Sequence, residues 1–453
     1  MSEPTNMTPP PTLQEAIERA GSPMKMLWTA EPPRWAPPAI PAEWTDWREE
    51  ATAGYTTIAL SDLSQHMSEL VFSGKDALSF LSAFLVNDLR NFAINQAKQV
   101  VAVEHRGYVI GDGILTRDEE ERFTLTGVPY IVTWLAYQAS AGNYDMAVRF
   151  NPDATIRGDG QDPVLFRYQL MGPNALELVE RMFGGPLPKT KFFHLTEVEF
   201  EGRRFRALRH GMLGQAGYEF IGDWEDHEIV LDAILRHGEP LGLRRVGAMA
   251  YSLSGMESGW IPIPIAAIFD SPELEAYRRS ISSYSFEGMY PIGGSYFSPD
   301  IRDYYVTPYD LGYGKVVDFE HEFLGRAALE RLAMSPSRVR VTLVLDPDQV
   351  REVWGGGPEL PFEQSYGHNR IEVDGELVGL GFYTASIPHA GTMLVLGLID
   401  AAHATPGTTV TYVWGAHPGD GPGATAGVQP ARISAVVEPS PYNAYARSTY
   451  RAD

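Results

Sequence analysis

The segment RHGMLGQAGYEF, residues 209–220, decides how the rest of the chain is read. Glu219 stands at the start of a strand, and on either side of it short strand-like runs alternate with helices. Residues 12–19, 74–84, 130–139, 175–183 and 225–237 carry apolar side chains at helical spacing. Proline-rich coil through Pro32, Pro33, Pro37, Pro38 and Pro41 follows the first helix and wraps a domain. After a helix over 326–333, the stretch Met334, Ser335, Pro336 and Ser337 precedes a β-branched run at 339–345, a change of character that marks a boundary. Beyond it strands dominate, with Asp374 and Gly375 as a hairpin turn between 371–373 and 377–383. The expected fold class is α+β, with an α+β region over 1–335 and a β-rich barrel or roll over 336–453.

Composition narrows the function classes. With 453 residues, 44% hydrophobic and 21% charged, the chain has the balance of a globular protein with several cores and room for a cleft. Thirty-six basic against 58 acidic residues give a net charge of -22, which repels a phosphate backbone, so nucleic acid is not an expected partner. The opening residues 1–11 carry neither a basic start nor an apolar stretch, and the best apolar run, 260–269, is broken by Pro262 and Pro264; a cytoplasmic protein with no membrane partner is expected. The absence of cysteine removes thiolate nucleophiles, zinc-thiolate sites, iron-sulfur clusters and thiolate-ligated haem, and no metal is expected.

Three segments, taken in order, resemble the folate-binding aminomethyltransferase family, the T-protein of glycine cleavage and its relatives. They are residues 209–220; residues 306–329, with the Phe-apolar-Gly-basic signature at Phe323 to Arg326; and GELVGLGFYTASIPHAGTMLVLGLID, residues 375–400. HMSELVFSGKDAL from His66, GYVIGDGIL from Gly107, TKFFHL from Thr190 and YSLSGMESGWIP from Tyr251 are similar to the vanillate and syringate O-demethylase branch, with kinship to sesamin-converting methylene transferases. The resemblance implies a three-part cloverleaf around a central folate cavity, two intertwined subdomains before residue 336, and tetrahydrofolate as cofactor.

It also implies roles. Glu219 falls where the family sets a carboxylate against the pterin edge, whose amino and imino donors require an acceptor. Phe192 and Phe193 are candidates to wall the flat ring, one of them in contact and the other in the core, and Trp260 is a further cofactor wall. Asp112, between Gly111 and Gly113, matches a catalytic acidic site, although an aspartate between glycines also suits a turn. Tyr251 aligns with a tyrosine beside the ether oxygen; its ordinary pKa of about 10 equals that of a phenol, so proton transfer to a departing phenoxide is nearly isoenergetic. His66 would support that acid, and Met67, Leu63, Val128 and Trp35 would line the substrate pocket.

Departures from the family pattern define the substrate. Gly127 and Val128 occupy the place where the vanillate-type branch carries an arginine that grips a carboxylate, and a buried carboxylate without a cation is costly. Leu63 replaces a glutamine, and the coil around Trp35 lacks a tyrosine. A small neutral aromatic ether is therefore the expected substrate, either a methylenedioxy aromatic of lignan type, giving 5,10-methylenetetrahydrofolate and a catechol, or a methoxyarene, giving 5-methyltetrahydrofolate. Gln215 and Ala216 in place of an acidic pair, and Gly255 in place of an arginine, argue against aminomethyl-lipoyl chemistry; Arg203, Arg204 and Arg206 lie near the motif, and the residues that hold the folate tail are not assigned from sequence. Two other classes remain open: a folate-binding protein without transfer, and a non-haem iron oxygenase built on His237 and Glu239, which read as a helix end.

Overall fold

The structure is a computed structural model that describes residues 10–34, 39–157, 160–334, 338–355, 357, 359–418 and 425–451. The first strands in chain order are β1 (Ile58–Asp62), β2 (Ser68–Ser73), β3 (Ala97–Val103), β4 (Val109–Glu119), β5 (Arg122–Gly127), β6 (Ala147–Asn151), β7 (Leu165–Met171), β8 (Leu195–Phe200), β9 (Arg203–Leu208), β10 (Gly217–Asp223) and β11 (Leu243–Arg245). They form a six-stranded sheet ordered β11-β1-β7-β10-β9-β8 and a five-stranded sheet ordered β3-β4-β5-β2-β6. Pairing is antiparallel except between β1 and β11.

The remaining strands are β12 (Arg338–Leu345), β13 (Gln364–Ser365), β14 (Asn369–Val373), β15 (Glu376–Ile387), β16 (Thr392–Asp400), β17 (Thr409–Trp414) and β18 (Ala431–Pro439). Running β15-β14-β17-β18-β12-β16 and returning to β15, they close a six-stranded barrel with β13 appended to β15. Asp374 and Gly375 take φ of 53° and 86°, the left-handed pair that a two-residue hairpin between twisted strands requires. The strand over 392–400 reads as an unbroken apolar run because both of its faces are buried. Met393, Val395 and Ile399 point into the barrel core, while Leu394, Leu396 and Leu398 join the large core shared with the five-stranded sheet. The expected boundary at 336 falls among residues 335–337, outside the described residues.

Several helices follow the sequence pattern closely. Ala175–Phe183 and Arg326–Ala333 have the expected bounds; the first helix is Leu13–Ala20, with Thr12 as its cap in a reciprocal capping box with Glu15. The stretch expected to be helical from residue 74 forms a helix only over Ala77–Phe84, since Gly74 sits at φ 143°. The helix Pro129–Ala141 begins with proline at its first position, where the missing N–H costs nothing. His237 lies in the last turn of His227–Gly238, and Glu239 starts the short 3-10 turn after it. Among the described residues, no helix is long and apolar enough to cross a membrane, and no group of three or more metal-type side chains comes together.

Candidate active site

The site forms where the six-stranded and five-stranded sheets meet. In β10, Tyr218 and Phe220 alternate into one core, which leaves Glu219 on the opposite face, beside its register partner Gln169 of β7. Arg167, two residues earlier on β7, shares that face and ties the two sheets together. Its Nε donates to Glu219 Oε1 at 2.7 Å and its Nη1 donates to Glu69 Oε1 of β2 and to Thr126 Oγ1 of β5, at 2.7 and 2.8 Å. Gln169 Nε2 donates to Glu219 Oε2 at 3.1 Å. Two carboxylates thus share one buried guanidinium, whose pKa is raised further because their charge outweighs burial. Each carboxylate oxygen has two lone pairs, so Glu219 Oε2, with one donor, retains acceptor capacity.

At one end of the five-stranded sheet, Ser68 pairs with Gly127, and Gly127 pairs on its other side with Gly113. This register brings together four sequence candidates: His66 and Met67 ahead of β2, Asp112 on β4, and Val128 after β5. The imidazole of His66 lies 2.6 Å, through Nε2, from the hydroxyl of Tyr251. Leu63 and Leu213 share an apolar cluster with that tyrosine, and Met67 and Met212 pack against the cluster. Burial lowers the His66 pKa to about 3, so its ring is neutral at ordinary pH, and burial pushes the Tyr251 phenol well above its usual value. The expected match to a phenol of pKa about 10 therefore does not hold for the free site; a leaving phenol in the same enclosure is desolvated in the same sense, and the difference between the two governs transfer.

Asp112 is not a turn residue. It lies within β4, opposite Val101, and the flanking glycines serve close packing: a Cβ at Gly111 would stand 3.0 Å from the Ile131 nitrogen, and one at Gly113 would stand 2.8 Å from the Thr126 carbonyl oxygen. Its Oδ2 accepts from Gln99 Nε2, Tyr313 hydroxyl and Trp260 Nε1 at 2.5, 2.7 and 3.1 Å, while buried Oδ1 has no hydrogen-bond partner among the described residues. Burial raises the Asp112 pKa against the pull of those donors. Asp112 and Trp260, assigned separate roles from sequence, are therefore one hydrogen-bonded unit. A Cβ at Gly255 would stand 3.0 Å from the Trp260 carbonyl oxygen.

Phe192 and Phe193 sit in a turn instead of a strand, Phe193 with φ 53°, their rings stacked at 4.3 Å. Phe193 packs on the small core of Ala97, Leu195, Leu208 and Ile221; Phe192 meets Tyr450 of the C-terminal segment at 4.9 Å. Tyr450 in turn bonds both backbone groups of Gly211 at 2.6 Å. Arg203, Arg204 and Arg206 are each paired with an acid, Asp226, Glu199 and Asp118 respectively. Trp35 lies outside the described residues. Sequence reasoning missed Arg167, Glu69, Gln169, Gln99, Tyr313 and Tyr450; Glu69 and Tyr313 lie inside the segments that begin at His66 and Val306 without having been singled out, and the others reach the site through strand register and long-range packing.

The GCVT N-terminal domain family matches residues 13–264. The chain is 36% identical to the syringate O-demethylase of a Sphingobium species (strain SYK-6), covering 97% of each chain. It is 29% identical to the sesamin methylene transferase of a Sinomonas species, over 83% of this chain and 86% of that one, and 26% identical to the aminomethyltransferase of Streptomyces avermitilis, over 82% and 85%. The glycine cleavage system aminomethyltransferase T of Bartonella henselae has the same fold, with a TM-score of 0.63, 19% identity, and 95% and 96% of the two chains covered.

Proposed function

The chain belongs to the GCVT family, and from that membership we propose that it is a tetrahydrofolate-dependent one-carbon transferase that cleaves an ether of a small neutral aromatic compound. The observation that carries the reading is the Tyr251–His66 pair, 2.6 Å apart in an apolar cluster, with Tyr251 within electrostatic reach of the buried Glu219. The residues fit the cofactor: a pterin edge offers hydrogen-bond donors, and Asp112 Oδ1 and Glu219 Oε2 are buried acceptors with capacity to spare. Phe192 and Trp260 supply flat walls. When bound, tetrahydrofolate supplies the nitrogen that receives the one-carbon unit as the carbon–oxygen bond breaks.

The chain's own residues handle the oxygen that leaves. Tyr251 would donate its proton to that oxygen, which departs with the electron pair of the broken bond; a methylenedioxy group has two such oxygens, and the hydrogens that the released hydroxyls and Tyr251 require would be those displaced from the accepting nitrogens. For the phenol hydrogen to face the substrate, His66 must carry hydrogen on Nε2 and donate it to the phenol oxygen. As Tyr251 releases its proton, that short bond becomes charge-assisted and stabilises the phenolate, with no change in the charge of the imidazole. The Glu69–Arg167–Glu219 set fixes both sheets and orients Glu219. Leu63, Met67 and Val128 would give the pocket an apolar lining, and the nearby guanidinium of Arg167 is already shared by Glu69 and Glu219.

The transferred unit is a methylene from a methylenedioxy aromatic, in line with the likeness to the sesamin enzyme and with the apolar lining. Methyl transfer from a methoxyarene is the second reading, favoured by the higher identity to the syringate enzyme. Anaerobic incubation with chelator, tetrahydrofolate and one substrate of each kind separates them: the adduct formed names the unit. Tight folate binding with no adduct from any substrate would instead mark a folate-binding protein.

A further inference from the structure

Beyond Val128, three buried polar groups stand without partners. The Tyr130 hydroxyl, the Tyr290 hydroxyl and Glu287 Oε2 have no hydrogen-bond partner among the described residues, and all three side chains are more than nine-tenths buried. They belong together: Tyr130 is two residues past Val128, at the start of the helix Pro129–Ala141, and its ring meets Phe286 edge-on at 5.1 Å. Phe286 opens the short helix that carries Glu287 and leads into Tyr290, and the Phe286 and Tyr290 rings stack at 5.3 Å. The other Glu287 oxygen is met by Thr133 and by the Tyr277 hydroxyl, so no cation neutralises this carboxylate among the described residues.

A line of phenols connects the group to the candidate acid. Tyr366 lies within electrostatic reach of both Tyr251 and Tyr290, and Tyr290 within reach of Tyr130. The Tyr366 ring packs on Tyr383 at 4.9 Å, and Tyr383 donates its hydroxyl to the carbonyl of Ser252, the residue after Tyr251. Leaving three such groups unpaired is costly, because each loses its hydration without a replacement. Two hydroxyls can donate or accept, whereas a carboxylate only accepts. The complementary ligand group must therefore bring a hydrogen to Glu287 and an oxygen to a tyrosine. An alcohol or phenol hydroxyl does both. A carboxylate would face Glu287 in a low-dielectric enclosure, and an ether or methyl group would leave Glu287 unmet.

We propose that Tyr130, Tyr290 and Glu287 form the specificity end of the substrate pocket and select aromatic ethers that carry a free hydroxyl on the side away from the transferred carbon. This rests on the one-carbon transferase reading for the position of the substrate. Its test is binding, which does not depend on transfer. Titration calorimetry on the full chain, with and without folic acid, compares vanillyl alcohol, creosol and vanillate, whose ring substituents are hydroxymethyl, methyl and carboxylate on the same methoxyphenol. The wild type is expected to bind vanillyl alcohol at least about tenfold more tightly than creosol, with vanillate weakest; one satisfied hydrogen bond in a buried site accounts for about that factor. Tyr290→Phe should bring vanillyl alcohol down towards creosol, and Glu287→Gln should narrow the gap to vanillate. Equal binding of vanillyl alcohol and creosol by the wild type, a preference for vanillate, or no binding of any of the three overturns the proposal even where a variant fails to fold. If the expected binding order is accompanied by no adduct on tetrahydrofolate, the transferase reading falls and the hydroxyl site stands.

Discussion

Replacing Tyr251 with phenylalanine separates the chemistry from the packing, because only the hydroxyl is lost. The ring keeps its place in the apolar cluster that includes Leu63 and Leu213. Two costs follow. The 2.6 Å bond to His66 disappears, which removes a partner from a desolvated imidazole and destabilises the fold by about 1–3 kcal/mol. The second cost is kinetic: loss of a positioned proton donor slows a step by roughly 10² to 10⁴, or about 2.7–5.5 kcal/mol of barrier. Single-turnover formation of the folate adduct measures the rate, and fluorescence titration with tetrahydrofolate measures binding, which should be unchanged since Tyr251 makes no hydrogen bond to Glu219 or Asp112. Burial keeps Tyr251 protonated above its usual range and His66 neutral down to about 3, so neither group should put a limb into the wild-type rate profile between about pH 6 and pH 9. A variant rate within about threefold of wild type would remove Tyr251 from the mechanism; a fall in rate matched by an equal fall in folate affinity would show that the hydroxyl serves the architecture of the site.

Other consequences can be checked independently. Val128→Arg puts a cation at the cap of the helix Pro129–Ala141 and should raise turnover of vanillate at least about tenfold, at a folding cost of about 0.3–1 kcal/mol from the helix dipole; the account of the pocket is wrong if vanillate is already the best substrate of the unaltered protein. Arg167→Leu strands Glu69 and Glu219 without their shared cation and should cost about 3–5 kcal/mol in urea unfolding. A loss below about 1 kcal/mol would mean that the two sheets do not depend on this tie. His368 is buried between the rings of Tyr304 and Phe382, neither ring nitrogen has a hydrogen-bond partner among the described residues, and burial lowers its pKa to about 3. The unfolded chain therefore binds more protons below about pH 6.5, and stability is lost as pH falls from there towards 3; this histidine accounts for about 2 kcal/mol at pH 5. His368→Leu should flatten the acid side of the stability profile by that amount, and an unchanged slope would contradict it.

What the sequence made legible follows from where the physical signal resides. The hairpin at Asp374 and Gly375 and the helix Ala175–Phe183 are local events, written in a positive-φ pair and in apolar spacing. His66 and Tyr251 were readable as partners across 185 positions only through the family resemblance, and the structure sets them 2.6 Å apart. Asp112 shows the limit of local reading. Flanking glycines suggest a turn, but here Gly111 allows the helix Pro129–Ala141 to approach the strand and Gly113 faces the Thr126 carbonyl oxygen of β5. Arg167 gave no signal at all, since an arginine in an ordinary strand becomes the link between two sheets only when register puts Glu69 and Glu219 within its reach. Tyr313, 201 positions from Asp112, and Tyr450, near the C-terminal end of the chain, belong to the same class of contact.

The most direct test is mass spectrometry of tetrahydrofolate after anaerobic incubation, in the presence of chelator, with the full chain and a mixture of hydroxylated methoxy and methylenedioxy aromatics. A methylene or methyl adduct on folate, with stoichiometric release of the free phenol or catechol and its loss in Tyr251→Phe, is the predicted result. Unchanged folate, with the aromatic compounds shown to bind, would contradict the assignment of this chain as a one-carbon transferase.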